Sequence, residues 1–301
     1  MGNTSYSVDN RATRSNLEGY TTKNVNQIFT QNVERKAHKD MVSQGVTVRE
    51  SCDSETHPKT VPIQLYLDVT GSMGHIPHEL IKEGLPTLMS NLIQKGVEDA
   101  ALMFGSIGDH EYDSYPLQIA QFESGDAELD MWLTRTYLEG KGGGNKGESY
   151  LLAWYFAAYH TRTDAFDKRG KKGYVITIGD EPCLRNLPLN AAKSIMGSTC
   201  QIQDNTNWLE LLEEARKKNH VFHIHVNHGR SLDPLWKEAL GENLIEVNDY
   251  KEVPNVIANL VIENERKFQT NEQVVKASEI TVSEDVKNDS KTDISNTPHM
   301  L

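Results

Sequence analysis

The stretch IQLYLDVTGSMGHIP, residues 63–77, decides how this chain is read. An apolar run of Ile63, Leu65, Tyr66 and Leu67 stops at Asp68, and Thr70 and Ser72 follow at even spacing around Gly71. A short apolar run bounded by turn residues reads as a buried strand. If the backbone stays extended past Asp68, side chains 68, 70 and 72 project to one side, because strand side chains alternate. One carboxylate and two hydroxyls then converge beyond the carboxyl end of a strand. Gly71 and Gly74 permit the backbone to turn sharply into the next helix.

Outward from this strand the pattern alternates. Residues 76–95 space Ile76, Leu80, Ile81, Leu85, Leu88, Met89, Leu92 and Ile93 as an amphipathic helix; Pro77 suits its first turn and Pro86 should kink it. DAALMFGSIGD (99–109) is a second strand ending in an acid, followed by a turn-rich stretch to about Gly125 and a helix near Ala127–Thr136. GKGGGNKGES opens a helix through 150–160, and KKGYVITIGDEPC (171–183) is a strand that stops at Gly179-Asp180. Helix 207–219, strand 220–226, helix 233–240, strand 243–247 and helix 251–268 complete the series. Such alternation predicts an α/β three-layer sandwich, a mostly parallel central sheet with helices on both faces. Residues 1–60 read as a polar, partly ordered extension with a short helix around Asn26–Met41, residues 61–269 as the α/β domain, and 270–301 as a disordered acidic tail.

Composition narrows the function classes. The net charge of −12 over 301 residues sits mainly in the central body, which argues against duplex nucleic acid or an anionic membrane as partner. Three scattered cysteines imply neither a disulfide framework nor a zinc knuckle. No apolar run approaches the ~20 residues that span a bilayer, and the N-terminus lacks a secretory h-region. The expectation is a cytoplasmic protein.

In open α/β sheets, ligands bind outside the carboxyl ends of the strands. Asp68, Asp109 and Asp180 each end a strand here. Carboxylates and hydroxyls are hard oxygen donors, suited to Mg²⁺ or Mn²⁺. A helix cap is the plainer reading of Thr70 and Ser72, but the strand-terminal acids favour a metal site. A haloacid-dehalogenase-type phosphatase would need a second acid where Thr70 stands. The glycine loop lacks the Gly-Lys-Ser/Thr ending of a P-loop. His220, His223, His225 and His228 read as core or edge histidines, Cys183 as structural, and Trp154, Tyr155, Phe156 and Tyr159 as helix packing.

DVTGSM (68–73) resembles the metal-ion-dependent adhesion site of von Willebrand factor type A domains, whose first motif is Asp-x-Ser/Thr-x-Ser. TIGDE (177–181) is similar to the strand that supplies the last acidic ligand. The resemblance covers about 70% of the chain. It implies that Asp68, Thr70, Ser72 and Asp180 hold Mg²⁺ or Mn²⁺ directly or through water. The family's threonine from its glycine loop is replaced by Gly144, so Asn145, or Glu148, is expected to provide the oxygen. Asp109, Asp113, Glu148 and Glu181 are expected around the site. The implied activity is non-enzymatic, cation-dependent binding of a protein that offers a carboxylate, as in adaptors of AAA+ ATPases. A metal-dependent hydrolase is the alternative and would need a base from Asp109, His110 or Glu181; a structural protein with a vestigial metal site is a third reading.

Overall fold

The strand that carries the opening stretch, β1 (Val61–Asp68), is buried along its whole length. It is paired in parallel on both sides, with β2 (Ala100–Ile107) and β4 (Gly173–Gly179). The remaining strands of this sheet are β3 (Leu117–Ile119), β5 (Asn219–Val226) and β6 (Leu244–Val247). Their order across the sheet is β6-β5-β4-β1-β2-β3, parallel throughout except for β3, which runs antiparallel to β2. The computed structural model describes residues 4–140, 145, 147–229 and 231–270. The chain divides into two compact units, 1–258 and 259–301; residues 253–270 are helical. The acidic tail expected from 270 onward lies, from 271, outside the described residues.

Alternation along β1 sends its side chains into two different layers. Leu65 and Leu67 join Phe104 and Ile178 against Leu88, Leu133, Val253 and Ile257. Leu88 belongs to helix α2 (Leu85–Gln94) and Leu133 to α3 (Asp126–Thr134). On the opposite face Tyr66, Met103, Val175 and Val221 form one buried cluster with α4 (Leu151–Tyr159) and α6 (Trp208–Lys218). Burying both faces is what makes parallel strands read as near-continuous apolar runs. The three-layer α/β sandwich expected from the sequence is thus observed. Helix α5 (Leu189–Met196) and α7 (Pro234–Leu240) complete the second layer.

Four elements differ from expectation. The turn-rich stretch after residue 109 contains β3, whose three residues are too few to show a period. The kink expected at Pro86 is realised one turn earlier, where Leu80–Gly84 winds as a π-helix between the helical turn Ile76–Glu79 and α2. Proline has no N–H to donate and crowds the carbonyl four residues back, and π turns are a recognised relief. In the polar N-terminal segment, Val8–Leu17 forms helix α1, capped by the Ser7 hydroxyl. It docks through charge rather than an apolar stripe: Arg11 and Asp130 pair at 3.1 Å with both side chains buried. Arg14 adds a 2.6 Å bond to Asp126 and Tyr20 a 3.1 Å bond to Asp130. The helix expected around Asn26–Met41 reduces to two single turns, Val25–Ile28 and Gln31–Glu34.

Candidate functional site

Strand order reverses between β1 and β4, since the connection from β1 leads to one side of the sheet and the chain returns to β4 on the other. Such a switch point leaves a crevice at the carboxyl ends of the two strands. Asp68 ends β1 there, one step beyond the Leu67–Ile178 pair, and Asp180 immediately follows β4. Both are fully buried.

The convergence of Asp68, Thr70 and Ser72 has a different cause from the extended backbone expected above. The strand ends at Asp68, whose Oδ1 accepts the Thr70 N–H at 2.9 Å and the Thr70 hydroxyl at 2.7 Å. This is an Asx turn, in which a side-chain oxygen takes the place of a backbone carbonyl. Gly71–Met73 then forms a single 3₁₀ turn that lifts Ser72 beside Thr70, their hydroxyl oxygens 3.4 Å apart. Ser72 in turn donates to Asp180 Oδ1 at 2.7 Å. A continuous line of oxygens therefore runs from Asp68 through Thr70 and Ser72 to Asp180. Asp68, Thr70 and Asp180 lie buried, and Ser72 is the half-exposed member of the line.

Glu148 completes the group. A short parallel bridge to Cys183 fixes its backbone, which donates its N–H to Pro182 at 2.8 Å and accepts the Leu184 N–H at 2.9 Å. The side chain is buried, and its Oε2 has no hydrogen-bond partner among the described residues. Burial, then the charges of Asp68, Asp109 and Asp113, push its carboxyl up to about 10, opposed by a hydrogen bond with Thr70. Burial likewise pushes Asp68 up to about 7 against its hydrogen bonds from Thr70 and Tyr150, and Asp180 adds repulsion. Carboxylates crowded into low dielectric hold protons unless a positive charge joins them.

Tyr150 is the residue that sequence reading missed. Its hydroxyl donates to Asp68 Oδ2 at 2.8 Å across 82 residues of sequence. The ring stands edge-on to His223 and Trp236, and those two stack 3.9 Å apart. Gly179 makes room for it, because a Cβ there would meet the Tyr150 hydroxyl. The only local signal was a tyrosine at a helix start, which is common. His223 and His225 are buried, as core histidines should be, and burial holds His223 well below the usual range. Cys183 is also buried, its thiol pushed up to about 12 by desolvation, which suits a structural residue.

The loop after β2 forms the rim. Asp109 is buried; its Oδ1 accepts the Glu111 N–H at 2.8 Å and its own N–H donates to Asp113 Oδ2 at 2.7 Å. Burial raises its carboxyl, partly offset by that Glu111 N–H. Asn145, expected beside the hydroxyls, donates its amide to Glu111 Oε2 at 2.8 Å and so stands on this rim. The His110 backbone N–H donates to Ser149 Oγ at 2.8 Å, and His110 Nδ1 shares a second hydrogen bond with the same hydroxyl at 2.7 Å. Glu181 is buried beyond Asp180, and its carbonyl accepts the Trp236 indole N–H at 3.2 Å. The position expected to lack a threonine, Gly144, lies outside the described residues. No group of three or more His, Cys, Asp or Glu placed to hold a metal occurs among the described residues. A cation would therefore depend on the hydroxyls as much as on the acids.

No protein-family model matches this chain, and no curated protein does. Among solved structures it is similar to the pilus adhesin SpaC from Lactobacillus rhamnosus GG, at 12% identity and a TM-score of 0.48, covering 72% of this chain and 31% of that one. It is also similar to proximal thread matrix protein 1 (PTMP1) from the mussel byssus, at 11% identity and a TM-score of 0.45, covering 70% of this chain and 48% of that one. Another structure of the mussel protein, described as having a zinc-occupied MIDAS motif, gives a TM-score of 0.44 at 11% identity over the same shares. This chain thus spans less than half the length of either protein. At such distances the fold rests on the strand order itself. No helix among the described residues is long and apolar enough to cross a membrane.

Proposed function

We propose that residues 61–269 are a non-enzymatic protein-interaction module whose binding depends on a divalent cation, Mg²⁺ or Mn²⁺. The observation that carries this reading is the line of oxygens at the switch point. Asp68, Thr70, Ser72 and Asp180 present two carboxylates and two hydroxyls within hydrogen-bond reach of one another, while the charges acting most strongly on neighbouring Glu148 are all carboxylates. Hard oxygen donors short of positive charge fit a hard cation. These four residues would hold the ion, with Glu148 as a nearby acid and Asn145 acting on the rim. With so few anionic protein ligands, a bound ion offers a Lewis-acidic position to an Asp or Glu of the partner.

The chain's own residues do the orienting. Tyr150 and the Thr70 N–H fix the two oxygens of Asp68, and Ser72 fixes Asp180, so each carboxylate is held before any ligand arrives. Pre-orientation of this kind reduces the ordering cost of binding. A hydrolase reading gains less support, because His110 Nδ1 is already engaged by Ser149. The partner belongs, on this reading, to a cytoplasmic complex, an AAA+ ATPase assembly being one case that the family resemblance suggests; nucleic acid and membrane are not expected as partners.

Calorimetric titration with Mg²⁺ and with Mn²⁺ tests the proposal, comparing wild type with Asp68→Ala. Saturable binding lost in the variant is the expected result. Capture of partners from a lysate with and without EDTA then tests the interaction. Failure of the wild-type chain to bind either ion would sink the reading.

A further inference from the structure

Trp236, fully buried near the start of α7, reaches both halves of the oxygen line at one remove. Its ring stands edge-on to Tyr150 with centroids 5.5 Å apart, and the Tyr150 hydroxyl donates to Asp68 Oδ2 at 2.8 Å. Its indole N–H donates at 3.2 Å to the carbonyl of Glu181, one residue past Asp180, whose Oδ1 accepts the Ser72 hydroxyl. One side chain therefore walls the residue that holds Asp68 and ties the backbone that carries Asp180.

The indole itself has little room to move. It lies on the His223 ring at 3.9 Å with an interplanar angle of 5°, and His223 Nδ1 shares a 2.9 Å hydrogen bond with the Thr177 hydroxyl of β4. Burial holds His223 well below the usual range, so an uncharged imidazole backs the indole. Trp154 and Trp208 pack against it with centroids 5.9 and 5.8 Å away. The start of α7 is clamped as well. Asp233 Oδ1 accepts the Leu235 N–H at 2.9 Å, and its Oδ2 pairs with Arg185, in the segment that leads away from Asp180. Interiors this close-packed transmit a displacement instead of absorbing it. A shift of α7 would therefore move Tyr150 and the Glu181 carbonyl together.

We propose that Trp236 is a positioning residue that sets, from α7, the placement of the Asp68 and Asp180 carboxylates, so that cation affinity follows the seating of that helix. The consequence for cation binding rests on the function proposed above; the placement of the carboxylates does not. Two contacts divide the work. The ring confines Tyr150 and with it the hydroxyl that orients Asp68, while the N–H ties down the turn after β4. Groups that orient the ligands of a metal without touching it govern affinity at about the 10- to 100-fold level.

The test uses the full ¹⁵N-labelled chain, first in EDTA. Trp236→Phe keeps an aromatic ring beside Tyr150 but removes the N–H and part of the wall. The Thr70 amide, which donates to Asp68 Oδ1, should then change its chemical shift. Phe156→Leu, in the same core but near the other end of α4 from Tyr150, should lower the melting temperature and leave that amide in place. With Mg²⁺, calorimetric affinity should fall about tenfold in Trp236→Phe and stay at the wild-type value in Phe156→Leu. Coupling is reciprocal, so Mg²⁺ added to wild type should shift the Trp236 indole N–H resonance and not that of Trp132 on α3; this arm needs no destabilised variant. The proposal is overturned if the Thr70 amide of Trp236→Phe keeps its wild-type shift in EDTA, if that variant binds Mg²⁺ as tightly as wild type, or if the Trp236 indole ignores a bound ion. A wild-type chain that binds neither Mg²⁺ nor Mn²⁺ would remove the cation reading, while a moved Thr70 amide in EDTA would still uphold the positioning and an unmoved one would overturn it.

Discussion

Replacing Asp68 by Asn should stabilise the cation-free protein at alkaline pH and make it indifferent to Mg²⁺. Asp68 is fully buried, and its carboxyl is raised from 3.8 to about 7. At about 1.36 kcal/mol per pH unit, keeping it ionised in the fold costs roughly 4 kcal/mol relative to the unfolded chain. The sign follows from proton uptake. An acid whose folded value lies above its unfolded one stabilises the fold below about 4, and that contribution is lost as pH rises through about 7. Asn is isosteric and can still accept from Thr70 and donate to the Tyr150 oxygen, so it removes the charge without orphaning its neighbours. In EDTA at pH 8 the variant should therefore melt higher than wild type, by on the order of 10 °C at most for a chain of this size, and the gap should close towards pH 5. Adding Mg²⁺ should raise the wild-type melting temperature by mass action and leave the variant unmoved. The assay is thermal melting followed by circular dichroism at pH 5, 6, 7 and 8, with EDTA or Mg²⁺. A variant less stable than wild type at pH 8 in EDTA, or one that Mg²⁺ stabilises equally, would refute the reasoning.

Three further outcomes are expected. Tyr150→Phe removes the only donor to Asp68 Oδ2 found among the described residues and should weaken Mg²⁺ binding by about 10- to 100-fold in calorimetry; unchanged affinity would show that the hydroxyl does not orient the carboxylate. Gly179→Ala drives a methyl against the Tyr150 hydroxyl and to 2.7 Å from its ring carbon, so a loss of about 1–3 kcal/mol in urea unfolding is expected, together with the same direction of affinity loss. Asp130→Ala leaves the buried Arg11 guanidinium without its 3.1 Å partner. Uncompensated buried charge should cost about 3–5 kcal/mol, with limited proteolysis entering first at Val8–Leu17; a loss below about 1 kcal/mol would mean that α1 is held otherwise.

Five of the six strands were legible because they are short, mainly apolar runs closed by turn residues; β3, with three residues, was not. Asp68, Thr70 and Ser72 were legible because a local spacing placed them, and Asp180 because a strand end did. What brought them together was less visible. The Asx turn and the 3₁₀ turn depend on backbone angles that spacing alone does not specify, and extended alternation would have predicted the same trio for a different reason. Tyr150 could not be seen, since its bond to Asp68 exists only once α4 packs on the face that carries Tyr66. Helix α1 escaped notice because Arg11 and Arg14 bind carboxylates, and a search for apolar periodicity passes over such a face. Asn145 was placed by analogy with a glycine loop, and the bond from its amide nitrogen to Glu111 is one that no spacing announced.

The distance between donors in the sequence has a kinetic meaning. Ser72 and Asp180 are 108 residues apart, and their meeting requires that β4 has already paired with β1, among the most non-local pairings in the fold. Such contacts form late, after the loop-closure entropy has been met. A cation that needs both halves has nothing to grip in a chain still searching for that register. Its effect should fall on the escape from the native state: Mg²⁺ slows unfolding in a stopped-flow experiment and leaves the refolding limb where it was.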